Sequence, residues 1–337
     1  MKLTAEVERW PLTAPFRIAG HTFEFIDVLL VSLERDGRMG RGESAGVYYL
    51  DDTPLSGIRQ IETLRGTIER GIDRSSLQRL LKPGGARNAL DCALWDLEAK
   101  VTGHPAWKIA GLENPRPLRT AFTCGADEPV RMAAKACNFT GALAIKLKLT
   151  GEPIDSERVQ AVREARADVW LGIDANQGFT RPFLEQIMPV LVAARVSLIE
   201  QPFPIGQESL LDSFDSPIPI AADESVQKLS DVSRLLGRFN VVNIKLDKCG
   251  GLTEGLAMAQ AARDLGLGTM VGNMSGTSLA MAPAYLLGQL CQVIDLDGPL
   301  LLKTDRPTTV QYRDGFIECP DVIWGAPLQD PGLVSAT

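Results

Sequence analysis

The chain has 337 residues, 45% apolar and 23% charged, which suits a globular protein with one large α/β domain and an appendage, or two domains. Its formal charge of −7, with no basic stripe, argues against a nucleic-acid partner held through phosphates. Only two histidines are present, His21 and His104, so multi-histidine zinc sites and a histidine-based triad in the second half are disfavoured; proton chemistry falls to lysines, carboxylates or metal-bound water.

The N-terminus, MKLTAEVERWPL, lacks the apolar core of a signal peptide, and no stretch is long enough to span a bilayer. The expected location is therefore cytoplasmic, with no membrane partner. Six scattered cysteines, none in a CxxC pair, read as reduced and mostly buried. Residues 1–115 read as an α+β domain. The apolar run Val28–Leu33 is followed by a hairpin signal, Asp36-Gly37, and a return strand from Met39 to Glu43. A helix is predicted over 86–102, because Leu90, Ala93, Leu94 and Leu97 share one face, with Gly103 and Pro105 ending it. Asn114-Pro115-Arg116-Pro117 reads as a linker.

From 116 to 305 the pattern changes to short apolar strands alternating with amphipathic helices. Strands are expected at Leu118–Thr123, Ala144–Lys148, Val169–Asp174, Ser197–Gln201, Ile218–Ala222, Val241–Lys245, Gly268–Gly272 and Val293–Asp297. Eight such units favour a closed parallel barrel over an open doubly wound sheet. The segment 306–337 returns to turn-rich strand signals, Arg313-Asp314-Gly315 among them, and is expected to pack back on the first domain.

Barrel catalysis sits where strands end. The predicted strand ends carry Lys146 and Lys148, then Asp174, Glu200, Asp223 and Lys245, with Asp295 and Asp297 on the last. From Lys148 the steps to Asp174, Glu200, Asp223 and Lys245 are 26, 26, 23 and 22 residues, about one strand–helix unit each. Three carboxylates on adjacent strands with no histidine make a hard-cation site, for which Mg²⁺ is suited. Singly, each acid is more readily a helix cap or a loop residue; the regular spacing is what favours a shared site. Lys146 and Lys148 lie two apart on one strand and so face the same side, the barrel interior, where they require anionic company. Lys245 comes four strands round from Lys148. Two lysines so placed reach a ligand from opposite faces, with the metal between. That arrangement suits proton transfer at a carbon next to a carboxylate: one lysine removes the proton, the metal stabilises the enediolate, and the other lysine returns a proton to the far face.

The cap helix ARNALDCALWDLEAK, KLK at 146–148, DANQG at 174–178, EQP at 200–202, ADES at 222–225 and NIKLDKCGG at 243–251 carry a resemblance. In combination they resemble the muconate-lactonizing subgroup of the enolase superfamily along nearly the whole chain. The resemblance implies an α+β capping domain over a modified (β/α)₇β TIM barrel, one Mg²⁺ per subunit on Asp174, Glu200 and Asp223, and Lys148 and Lys245 as the acid/base pair. DLDGP at 295–299 is similar to the dipeptide epimerases, which implies that Asp295 and Asp297 bind the ammonium of a dipeptide substrate epimerised at its C-terminal residue. It further implies that Lys146 holds the substrate carboxylate, that Thr123, Asn273 and Ser275 line the pocket, and that the protein is a homo-oligomer. Members acting on Ala-Glu dipeptides resemble this chain around Pro15–Ala19 but carry an arginine next, where this chain has Gly20 followed by His21. The cap segment Tyr48–Asp52 offers aromatic surface and negative charge instead, compatible with an apolar or basic side chain. Other readings on the same scaffold are a cycloisomerase, an o-succinylbenzoate synthase or an N-acylamino-acid racemase. A non-catalytic metal- or peptide-binding barrel would have no use for the second lysine.

Overall fold

The computed structural model describes residues 1–18 and 21–327. Gly20, where the resemblance expects an arginine, lies outside them. The first unit is an antiparallel sheet of β1 (Lys2–Ile18), β2 (His21–Arg35) and β3 (Arg38–Ser44), with the predicted turn at Asp36-Gly37 (φ 52° and 73°). β1 was not legible in the sequence. Pro11 and Pro15 remove ladder donors, and the register with β2 shifts between Pro11 and Phe16, which an edge strand tolerates. Two helices follow, α1 (Pro54–Arg70) and α2 (Arg74–Leu80), and then α3 (Gly85–Thr102), the predicted cap helix, which ends at left-handed Gly103. α3 lies tight against β3. A Cβ at Gly42 would stand 2.1 Å from the Ala89 carbonyl oxygen, so only a bare backbone fits there.

After α4 (Ala106–Ile109), the predicted strand 118–123 proves to be two. β4 (Leu118–Arg119) joins a small sheet with the C-terminal hairpin, and only β5 (Phe122–Cys124) enters the barrel. The chain turns there because the Thr120 hydroxyl is used by the Leu296 N–H, 3.0 Å away. The barrel continues through α5 (Pro129–Asn138), β6 (Ala144–Lys148), α6 (Asp155–Ala165), β7 (Trp170–Asp174), α7 (Arg181–Ala193), β8 (Val196–Glu200) and β9 (Ile220–Ala222). It is completed by β10 (Val241–Lys245), α8 (Leu246–Cys249), α9 (Leu252–Asp264), β11 (Gly268–Gly272), α10 (Ser278–Gly288) and β12 (Val293–Ile294). The connections after β8 and β9 carry 3₁₀ turns rather than α-helices. β12 is shorter than the predicted Val293–Asp297: the Asp295 N–H still donates to the Val271 carbonyl at 2.9 Å, but the Leu296 N–H turns to the Thr120 hydroxyl instead of the ladder. The eight parallel strands β5 to β12 follow chain order and curl until the edges meet, where the Ala121 N–H donates to the Ile294 carbonyl at 2.8 Å. Leu147, Ile173, Ile199 and Ile244 face outward onto Val159, Val162, Leu184 and Met258, while Leu198, Ala221 and Met270 plug the barrel interior.

The hairpin β13 (Gln311–Arg313) and β14 (Phe316–Glu318) turns at Asp314-Gly315, as its sequence predicts. Of the segment 306–337, the described part up to 327 then lies on the first unit, and residues 328–337 fall outside the described residues. Arg306 pairs with Glu8 and Glu43 at 2.6 Å, and the Trp324 indole N–H donates to the carbonyls of Arg41 and Cys92 at 3.0 Å. All six cysteines are free, but only three are buried; Cys137 is exposed. No helix among the described residues is long and apolar enough to cross a membrane.

Where α3 meets the barrel, Asp91 is fully buried and accepts from the Gln78 amide at 3.0 Å and the Thr253 N–H at 2.9 Å. Burial pushes its carboxyl up to about 6. The folded value therefore lies above the unfolded one, so the folded state binds the extra proton between about pH 4 and pH 6, and stability falls as pH rises through that window. The expected slope from this group is up to about 1.4 kcal/mol per pH unit. Urea unfolding of Asp91→Asn across that window checks it: the variant's stability should fall less steeply than the wild type's, and parallel curves would refute the assignment.

Candidate active site

Register puts the charged strand ends at one height. Lys148 stands opposite Asp174, and Asp174 opposite Glu200. Asp223 follows β9 directly, and Lys245 ends β10. Asp174, Glu200 and Asp223 are buried, each offering an oxygen within 4.8 Å of the others. Backbone geometry aims them. Asn176, with φ 43°, donates its N–H to Asp174 at 2.8 Å. Gln201, with φ 37°, accepts from the N–H groups of Asp223 and Ser225 at 2.9 and 3.1 Å. The DANQG and EQP motifs thus fix carboxylates through turns that place non-glycine residues in the left-handed region, a local strain common at functional sites.

Four lysines surround the acids. Lys148 Nζ lies 2.5 Å from Asp174, and Lys245 Nζ lies 2.6 Å from Asp223. Lys146 lies 2.5 Å from Asp295 and 3.0 Å from Glu200. Lys248 lies 2.5 Å from Asp223. β6 and β10 are four places apart in the eight-stranded ring, so Lys148 and Lys245 come from opposite walls and bracket the three acids. Gly272 leaves room for this: a Cβ there would lie 2.9 Å from Lys245 Cε. At Asp174 and Asp223 burial alone would raise the carboxyl, but the lysines outweigh it and hold both below the usual range. Burial and then Asp174 push Glu200 up to about 7, and burial and then Asp223 push Glu224 up to about 8.

The structure places the remaining predicted residues in two groups. Asn273 and Ser275 line a cleft of about 70 Å³ together with Lys148, Asp223 and Lys245. Lys146, Thr123, Asp295 and Asp297 are buried and form a second group that does not line the cleft. There the Thr123 N–H donates to Asp297 at 2.6 Å, and burial followed by Asp295 pushes Asp297 up to about 6.

Sequence reasoning assigned no role to Lys248, Glu224 or Asn243. Asn243 donates its amide to Glu200 at 2.7 Å, and Glu224 has a carboxylate oxygen without a partner among the described residues. All three lie inside the NIKLDKCGG and ADES motifs. The signal was there, but Lys248 projects from a helical turn, where strand alternation says nothing about direction.

The donor set fits a hard divalent cation. At the barrel mouth, the buried acids Asp174, Glu200, Asp223, Glu224, Asp295 and Asp297 meet four buried lysines, a deficit of two positive charges when all are ionised. Residues 129–327 match the family model described as enolase C-terminal domain-like, and residues 1–111 match the N-terminal domain of mandelate racemase / muconate lactonizing enzyme.

The chain belongs to the enolase superfamily.

Within the superfamily it is 39% identical over 310 residues to the L-Ala-D/L-Glu epimerase of Escherichia coli K12, covering 91% of this chain and 96% of that one. It is 38% identical over 289 residues to an N-acetyl-D-glutamate racemase of a Pseudoalteromonas species, covering 85% and 91%. Among solved structures, it superposes on an enolase family member from Agrobacterium tumefaciens with homology to dipeptide epimerases, bound to sodium and L-Ala-L-Glu. The TM-score is 0.93, the identity 39%, and the coverage 96% and 99%. It also superposes on the Methylococcus capsulatus dipeptide epimerase complexed with Mg and L-Arg-D-Lys (TM-score 0.86, 30% identity, 95% and 96% covered). The (β/α)₇β enolase-superfamily architecture read from the sequence is the one observed.

Proposed function

We propose that this superfamily member epimerises a dipeptide at its C-terminal residue by moving the α-proton between Lys148 and Lys245, with one Mg²⁺ held by Asp174, Glu200 and Asp223. The observation that carries the reading is the bracket: two lysines on opposite walls, each bonded to a different acid of one trio. A bound Mg²⁺ supplies the positive charge that makes an α-proton beside a carboxylate removable. Lys148 and Lys245 then act on the two faces of the α-carbon, one accepting a proton as the other delivers one. Lys146 adds a third cationic group beneath the substrate carboxylate. Asn273 and Ser275 bound the cleft, and Thr123 holds Asp297 in place from behind. Asp295 and Asp297 present two carboxylates to the ammonium of the N-terminal residue.

A second reading on the same machinery is racemisation of an N-acylamino acid. It draws on the pairing of Asp295 with Lys146 and of Asp297 with Thr123, which leaves these acids satisfied without an ammonium. Incubation with Mg²⁺ in D₂O decides between the two. Deuterium entering the α-position of a dipeptide's C-terminal residue, with both epimers appearing, is the expected result. Exchange confined to N-acetylamino acids would install the second reading. Asp297→Asn separates them further. It is expected to raise KM for dipeptides about 10-fold or more, the loss of one charge-assisted hydrogen bond, and to leave any N-acetyl substrate unchanged. Steady-state kinetics on the two substrate classes reads this directly.

A further inference from the structure

β3 ends on Glu43 and Ser44, both buried, and each grips the rim loop of a different barrel strand. The Ser44 hydroxyl donates to Asp247 at 2.6 Å, and the Gly46 N–H donates to the same carboxylate oxygen at 3.1 Å. Asp247 stands two residues past Lys245, at the end of β10. Glu43 accepts from the Thr277 N–H at 2.7 Å and from the Thr277 hydroxyl. Thr277 stands two residues past Ser275, which lines the cleft after β11. Arg306 closes this side from the C-terminal segment, donating to Glu43 at 2.6 Å and to the Thr277 hydroxyl at 2.7 Å. Adjacent residues of one cap strand thus hold the ends of adjacent barrel strands.

Past Ser44 the chain forms a closed loop at the cleft. The Val47 N–H donates to the Asp52 carbonyl at 2.8 Å, so residues 47–52 begin and end together. Tyr48 and Tyr49 of this loop line the cleft with Lys148, Asp223 and Lys245. The Gln227 amide holds the tip, donating to the Tyr49 hydroxyl at 3.3 Å. Asp247 holds the neck on the barrel side; on the cap side Asp52 accepts from the Gly85 N–H at 2.6 Å. The neck is built for close approach: a Cβ at Gly46 would lie 2.1 Å from the Asp52 carbonyl oxygen, and one at Gly85 would lie 2.7 Å from Ser44 Oγ. Asp247 itself is fully buried, and its charge is met by donors of the cap rather than by a cation. An uncharged side chain would join the two units without that desolvation cost. What the carboxylate adds is direction, one oxygen taking two cap donors on a segment that leaves the barrel together with Lys245.

We propose that Glu43, Ser44, Asp247 and Thr277 form a clasp that positions the Tyr48–Tyr49 loop and the Asn273–Ser275 wall against Lys245. None of the four lines the cleft, so they are positioning residues and touch no reacting atom. The clasp rests on the lysine-based proton transfer given above.

The test uses the Mg²⁺-loaded full chain. Asp247→Ala is expected to lower kcat/KM for dipeptide α-deuterium exchange about 10-fold or more, mainly through KM, and to speed backbone amide exchange at residues 44–52. The Mg²⁺-dependent rise in Tm should remain, because the three acids are held from within the barrel. Asp247→Asn keeps the accepting oxygen and should restore both readouts to within about threefold of wild type. Thr277→Val, which loses only the hydroxyl on the other side, should lower kcat/KM in the same sense. If Asp247→Ala does not fold, Ser44→Ala, which leaves Asp247 its Gly46 bond, should show the same pattern at about threefold. Full activity in a folded variant with a lowered Tm would make the contact a structural tie and overturn the proposal. Equal losses in Asp247→Asn would assign the effect to charge, and a lost Mg²⁺ response would assign it to the metal site; either overturns the clasp. If the wild type exchanges no dipeptide α-proton, the dipeptide reading fails by itself. Amide exchange then decides the clasp, and unchanged protection at 44–52 in Asp247→Ala overturns it.

Discussion

Lys148→Ala and Lys245→Ala are each expected to abolish epimerisation, lowering kcat by at least about 10³, because the other lysines near each wall, Lys146 and Lys248, do not line the cleft. Folding should survive both changes. Without Lys245, Asp223 keeps Lys248 at 2.5 Å; without Lys148, Asp174 keeps Lys146 at 3.7 Å. A buried carboxylate stripped of every partner would destabilise the fold by several kcal/mol, but here each acid retains one. Circular dichroism and unfolding should therefore report a folded protein that does not epimerise. Full turnover by either variant would remove that lysine from the mechanism.

Removing the metal is expected to have an effect of similar size. Dialysis against EDTA should lower activity by at least about 10³, and Mg²⁺ should restore it. A second readout needs no substrate. Because the three acids converge only in the folded chain, Mg²⁺ at a hundred times its Kd should stabilise the protein by about 2.7 kcal/mol, seen as a rise in Tm. Asp223→Asn should lose that Mg²⁺-dependent rise. Undiminished activity in metal-free buffer, or a Tm blind to Mg²⁺, would contradict the metal site.

The barrel was legible because its strands are buried on both sides. Ala144–Lys148, Val241–Lys245 and Gly268–Gly272 each read as a short apolar run closed by a charged or glycine residue, and the structure gives those bounds. The charged strand ends were legible for the same reason: Lys148, Asp174, Glu200 and Lys245 interrupt patterns that otherwise exclude charge. Elsewhere tertiary contacts decided the outcome. β1 carries charges and two prolines along a half-exposed edge, so no period marks it. The break between β4 and β5 depends on Thr120 and on the hairpin 311–318, nearly two hundred residues away, which pairs with Leu118 and Arg119. Tyr48 and Tyr49 were visible as aromatic surface, but their place over the cleft comes from the fold of the cap. No local pattern announces that Phe23 meets Tyr48 above the barrel.

The two-faced arrangement of the lysines is tested most directly by following each epimer of one dipeptide separately in D₂O with the single-lysine variants. A lysine that remains can still exchange the α-proton that faces it, without inverting the centre. The account predicts complementary behaviour: Lys148→Ala exchanges the α-proton of one epimer only, Lys245→Ala that of the other only, and neither converts one epimer to the other. Exchange of the same epimer by both variants would contradict it, because the two amines would then serve one face.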